Sequence, residues 1–150
     1  MFSKTCEYGI RSAVFIMMQS LEGYRVSLRE IASAIDSPEA YTAKILQILV
    51  RQGIIQSVKG PHGGFEIPQE KLDTLALYEV VNAIDGDFLW TQCCLGLSEC
   101  NDDYPCPVHE KYTHVRENLK NMLYTTSLFE MAVGHRIGLT NLSRRDSDSP

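Results

Sequence analysis

Between Tyr8 and Leu21 the apolar residues Ile10, Ala13, Val14, Ile16, Met17 and Leu21 recur at helical spacing, which predicts a first helix with one buried face, ended by Glu22-Gly23. Ser27 and Glu30 form a capping-box pattern: the hydroxyl takes one orphan amide and the carboxylate reaches back to another. They open a short second helix with Leu28, Ile31, Ala32 and Ile35 on one side. Asp36-Ser37-Pro38 predicts a turn, with Ser37 as N-cap and Pro38 in the first helical position. A third helix runs to Arg51, with Ala43, Ile45, Leu46 and Leu49 pointing inward and Gly53 closing it. The period then changes. Ile54 to Val58 reads as a strand, Lys59-Gly60-Pro61-His62-Gly63-Gly64 as a turn, and Phe65 to Ile67 as the returning strand. Three helices and a hairpin, with a tight turn between the last two helices, predict a winged helix-turn-helix.

Beyond Pro68 a helix is predicted over Thr74 to Ile84 (Leu77, Val80, Val81, Ile84), stopped by Asp85-Gly86-Asp87. Residues 93–109 form a loop rich in Cys, Gly, Asp and Pro. A longer helix follows from Glu110 to Tyr124, its stripe of Tyr112, Val115, Leu119 and Met122 suited to packing on another helix. Ser127 to Glu130 repeats the capping-box pattern and starts a short last helix. The expected architecture is mainly α with a small β-hairpin wing: a DNA-binding part over 1–68, dimerisation helices with a cysteine-rich loop over 69–135, and a polar, flexible tail over 136–150.

The net charge of -5 conceals an asymmetry. Residues 1–68 carry seven Lys/Arg and six Asp/Glu, net +1, whereas residues 69–150 carry seven and thirteen, net -6. A polyanion is therefore met by the first half. No apolar run approaches the ~20 residues that cross a bilayer. The first residues also lack a basic segment leading into an apolar one, so a cytoplasmic protein without membrane association is expected. An enzyme is not expected. No nucleophile–base pair or dinucleotide fingerprint occurs, and the glycine-rich stretch sits in a hairpin, whereas phosphate loops precede helices.

Two stretches carry candidate chemistry for DNA. Ser37, Glu39, Tyr41, Thr42 and Lys44 stand at the N-terminal end of the third helix, where short polar and basic groups reach base edges and phosphates, with Gln47 and Arg51 farther along for the backbone. In the hairpin turn, Lys59 and His62 supply donors, and Gly60, Gly63 and Gly64 permit close backbone approach to a duplex. A third stretch is different in kind. Four of the five cysteines, Cys93, Cys94, Cys100 and Cys106, fall within fourteen residues. Cys94, Cys100 and Cys106 are each separated by five residues, and His109 follows after two more. Three thiolates and an imidazole can hold zinc or an iron–sulfur cluster; the wide gaps favour the larger object, and Cys93 reads as a bystander.

These residues together resemble the Rrf2 family of bacterial winged-helix regulators. The resemblance covers residues 2–135 and rests on Glu7-Tyr8-Gly9-Ile10-Arg11-Ser12-Ala13, the third helix from Tyr41 to Leu49, Gly53 through Phe65, and the loop ending Pro105-Cys106-Pro107-Val108-His109. It implies a homodimer joined by the long helix and reading a palindromic double-stranded operator. It also implies a 2Fe–2S cluster on Cys94, Cys100 and Cys106, whose loss, oxidation or nitrosylation changes operator affinity. The fourth ligand implied is His109 in IscR-like members and the partner subunit's Glu7 in NsrR-like members. The family's wing arginine is replaced here by Lys59, which keeps the charge and loses the bidentate fork. Two further readings are a cluster-free thiol–disulfide switch through Cys94, Cys100 or Cys106 and a zinc-stabilised interaction module that binds protein and not DNA. Against the switch, Glu99, Asp102 and Asp103 are expected to raise the thiol pKa values.

Overall fold

The computed structural model describes residues 1–142. In chain order the elements are α1 (Lys4–Leu21), α2 (Leu28–Ala34), α3 (Glu39–Arg51), β1 (Gln56–Val58), β2 (Gly64–Glu66), α4 (Leu77–Asp85), α5 (Phe88–Thr91), α6 (His109–Thr125) and α7 (Leu128–Arg136). The fold is mainly helical with one antiparallel hairpin, as the patterning predicts.

Helix α1 starts four residues before Tyr8, because Ser3 caps it by accepting from Cys6 N–H at 3.0 Å. The cap is itself held: Ser3 N–H donates to the Asp85 carboxylate at 3.0 Å, tying the start of α1 to the end of α4. Ile16, Met17 and Ala13 on α1 are fully buried, and they meet Ile45, Leu46 and Leu49 of α3, Val80 of α4 and Ala132 of α7 in one apolar core. Each Ile, Leu, Val or Met among them contributes roughly 1.5–3 kcal/mol on burial. The core therefore joins residues on both sides of Pro68.

Both capping boxes form. Ser27 Oγ accepts from Glu30 N–H at 3.2 Å, and Ser127 Oγ from Glu130 N–H at 3.0 Å. The start of α3 differs from expectation. Pro38 is the capping residue and makes no side-chain bond, while Ser37 Oγ is buried with no hydrogen-bond partner among the described residues. The turn is closed by the backbone instead: Asp36 takes a left-handed φ of 52°, and Ser37 N–H donates to Ala32 O at 3.0 Å. Ile54 and Ile55, expected to open the first strand, are buried and follow α3 directly, so β1 begins at Gln56. A single 3-10 turn, Gln69–Lys71, precedes α4, which begins at Leu77 and not at Thr74.

The hairpin pairs Gln56 with Glu66, Ser57 with Phe65 and Val58 with Gly64. Val26 adds a third, one-residue bridge: its N–H donates to Phe65 O at 3.1 Å and its carbonyl accepts from Phe65 N–H at 2.7 Å. That bridge fixes the wing against the base of α2. At the other end, Leu77 N–H donates to Thr126 O and Leu128 N–H to Leu75 O, both at 2.9 Å, clamping the α6–α7 junction onto the approach to α4. Of α6 only Leu123 is buried; Val115 and Met122, from the expected packing stripe, are 54% and 46% exposed. Among the described residues no helix is long and apolar enough to cross a membrane. From Ser143 onward the expected tail lies outside the described residues.

Candidate nucleic-acid interface and cysteine loop

The outward face of α3 is set by how the helix docks on α1. Thr42 is fully buried, and its hydroxyl donates to Pro38 O at 2.9 Å. Tyr41 turns toward α1, its hydroxyl 2.8 Å from Thr5 Oγ1 and its ring edge-on to Tyr8 at 5.5 Å. These two expected contact residues are thus engaged in seating the helix, and Thr42 in particular is closed to any partner. Ala40, Lys44, Gln47 and Arg51 are exposed at intervals of four, three and four, a single stripe along the helix. Glu39 is exposed as well and paired with Arg29 at 3.4 Å.

The wing tip is exposed at Lys59, Gly60, Pro61 and His62. Gly64 has a φ of 139°, and a Cβ there would stand 2.7 Å from Val26 O, so glycine is what permits the bridge to Val26. Arg25, which drew no attention in the sequence, braces the turn. Its Nε donates to Glu66 Oε2 at 3.0 Å and its Nη1 to His62 O at 3.3 Å. No local pattern could have found this pair, because the partners lie 41 residues apart. Arg25 and Arg29 are both ion-paired, whereas Lys44, Arg51 and Lys59 have no ion pair among the described residues. The stripe and the wing tip together present three free cations to solvent.

The cysteine loop begins after α5, a short helix that the sequence did not announce, and ends at the first residue of α6. Asn101 shapes its middle: the Oδ1 accepts from Asp103 N–H at 2.8 Å and from Tyr104 N–H at 3.2 Å. His109 opens α6. Its Nδ1 lies 3.4 Å from Cys100 Sγ and its Nε2 lies 2.7 Å from Asp102 Oδ1. A carboxylate on one ring nitrogen fixes the tautomer and leaves the other to face the sulfur. Cys100 and Cys106 are half-buried, and Cys94 is exposed.

Cys93, expected to be a bystander, is buried. Hydrogen bonding from the Leu95 and Leu97 backbone holds its thiol below the ordinary cysteine range, with a further contribution from Cys106. Cys94 is pushed the other way by partial desolvation and by the sulfurs of Cys93 and Cys106.

Among the described residues no three His, Cys, Asp or Glu side chains converge on a point that could hold one metal ion. Of the four expected ligands, Cys100 and His109 lie side by side. In donor type the thiols of Cys94, Cys100 and Cys106 with the His109 imidazole suit an iron–sulfur cluster, and three cysteines with one histidine suit a structural zinc as well. Glu7 sits in the first turn of α1, 3.8 Å from Lys4 Nζ.

The Rrf2 family, described as an iron-dependent transcriptional regulator, matches residues 2–133. The chain belongs to the Rrf2 family. It is similar to the HTH-type transcriptional regulator IscR of Xenorhabdus nematophila, 26% identical over 141 residues that cover 94% of this chain and 84% of the relative. Its fold is similar to that of CymR, the global cysteine regulator of B. subtilis. That likeness has a TM-score of 0.73, 21% identity, and coverage of 89% of this chain and 96% of the other. T. potens IscR gives a TM-score of 0.69 at 18% identity, covering 94% and 93%. This Rrf2 chain is accordingly a DNA-binding transcriptional regulator with a winged-helix fold, and not an enzyme.

Proposed function

We propose that this Rrf2 regulator works in the cytoplasm as a homodimer whose hold on a palindromic operator is gated by a 2Fe–2S cluster in its cysteine loop. Residues 1–68 serve as the DNA-binding part and residues 69–135 as the pairing and sensing part. The Ala40–Lys44–Gln47–Arg51 stripe of α3 enters the major groove. Lys59, Gly60 and His62 at the wing tip lie along the phosphates or the minor groove, with Gly63 and Gly64 allowing the hairpin to approach. Ser37 and Glu39 sit at the edge of this surface, and Tyr41 and Thr42 hold the helix at its angle. Two copies pair through α6, whose Val115 and Met122 lie open.

One observation carries the gating. His109 belongs to both parts: it is the first residue of the pairing helix, and its ring touches the Cys100 sulfur. Cys94, Cys100, Cys106 and His109 are the residues that would hold the cluster, with the partner subunit's Glu7 as the other candidate for the fourth position. When bound, the group supplies a linkage that oxidants, iron shortage or nitric oxide can break. The chain's own part is mechanical. Asp102 keeps the His109 ring in place, and the loop ends in α6 without an intervening linker, so a change in the loop is felt at the pairing helix. A shift of a few kcal/mol between two orientations of the paired heads is enough to change occupancy decisively, because both half-sites must be met together.

The test is purification without oxygen, iron and sulfide analysis, and operator binding by loaded and stripped protein. Absence of charge-transfer absorption with all loop cysteines reduced sinks the cluster reading. The position of Cys93 favours a second reading, a thiol switch: an amide-stabilised sulfur beside Cys106 is suited to oxidation. Mass spectrometry of peroxide-treated protein, looking for a Cys93–Cys106 disulfide, distinguishes the two.

A further inference from the structure

Arg116 lies two turns into α6, and its guanidinium is directed at the cysteine loop. Its Nη2 donates to Gln92 O at 2.5 Å, and its Nη1 lies 3.8 Å from Cys100 Sγ. The guanidinium carbon sits 4.8 Å from the centre of the Tyr112 ring, one helical turn earlier. Its Nε is buried with no hydrogen-bond partner, and no carboxylate pairs with it among the described residues. An arginine that gives up water on one nitrogen, and forgoes an ion pair, is held there by the remaining contacts. Those contacts are informative in their placement. Gln92 immediately precedes Cys93, the first cysteine of the loop, and Cys100 is the middle one of the spaced three. A single side chain of the pairing helix thus grips both ends of segment 92–100.

We propose that Arg116 is a positioning residue that straps segment 92–100 onto α6, so that the arrangement of the loop sulfurs and the set of the pairing helix change together. The strap itself follows from geometry; its consequence for operator binding rests on the function proposed above. The planar fork is essential to it. Lysine keeps the charge but offers one compact ammonium, which cannot serve the Gln92 carbonyl and the Cys100 sulfur at once while stacking on Tyr112.

The test compares wild type, Arg116→Met and Arg116→Lys as full chains. In cluster-free protein, hydrogen exchange followed by mass spectrometry is expected to be about tenfold faster over residues 93–104 in both variants, with α1 to α3 unchanged. In the same cluster-free protein a thiol reagent is expected to label Cys100 several-fold faster in both variants and the buried Cys6 at the wild-type rate. A merely structural arginine would loosen the whole molecule, and labelling of Cys6 would rise with that of Cys100. Loop exchange or Cys100 labelling at the wild-type rate, or equal acceleration in α1 to α3, overturns the proposal. Should Arg116→Met fail to fold, Arg116→Lys retains the aliphatic stem and decides it alone: wild-type loop exchange in that variant removes the strap. The exchange measurement needs no cluster, so it stands whether or not the chain takes one up; uptake is read separately from visible absorption.

Discussion

Replacing Lys59 by Gln should change how operator binding depends on salt, by an amount that can be worked out beforehand. Each protomer offers three cations on the α3 stripe and wing tip, Lys44, Arg51 and Lys59, and none of them is ion-paired among the described residues. A dimer seated on both half-sites then displaces counterions from about six phosphates, for a slope of log K against log salt of about -5. Lys59→Gln removes one phosphate contact per wing and makes the slope shallower by about 1.8. Between 50 and 200 mM salt the wild type should lose about three orders of magnitude in affinity, and the variant about two. Glutamine removes the charge but keeps an unbranched polar side chain at this exposed position, so wing stability should not change. The assay is fluorescence anisotropy with an operator duplex at four or five salt concentrations, with the midpoint of urea unfolding as the control. Parallel lines for the two proteins would refute the assignment of the wing tip to phosphate. A slope change of only about 0.9 would refute the paired geometry, because a single wing would then be engaged.

Gly64→Ala should destabilise the protein by about 2–4 kcal/mol, from backbone strain and the two hydrogen bonds to Val26 that the new methyl displaces; a loss below about 1 kcal/mol in urea unfolding would contradict the clash. Leu123→Ala, at the one buried position of α6, should cost about 2–5 kcal/mol, whereas the exposed Val115→Ala should leave monomer stability alone and weaken self-association, seen by analytical ultracentrifugation. The Cys6 thiol is pushed up to about 12 by its burial and by nearby Asp85. The folded chain therefore holds that proton more tightly than the unfolded chain does. The associated stability is intact below the ordinary cysteine value of 9.0 and is lost as pH rises from there toward about 12. Removing the group with Cys6→Ser should flatten this alkaline loss, and in the wild type at pH 8 a thiol reagent should label Cys94 well before Cys6.

What could be read from the chain by itself was what residues three or four positions apart decide. The apolar spacing of α1, α3 and α4, the two serine–glutamate caps and the change of period after Gly53 are short-range properties, and the structure carries each of them. The left-handed φ of Gly60 at the wing tip belongs to the same class because it is a local demand, whereas Gly64 is required by the approach of Val26 O. The errors lie where the decisive partner is distant in sequence. Tyr41 and Thr42 have the chemistry of contact residues, but the crossing of α3 over α1 brings Thr5, 36 residues away, up to Tyr41 and leaves Thr42 without solvent. That crossing also selects Lys44, Gln47 and Arg51 as the outward stripe. In the cysteine loop, ligand-type residues are visible from composition, whereas which sulfurs are buried, and that Arg116 reaches back to them from α6, are not. A hydrogen bond between neighbours is dictated by backbone geometry that the local sequence already specifies. A contact between distant segments exists only once the core has set the angle at which two helices meet, and that angle is a property of the packed side chains as a whole.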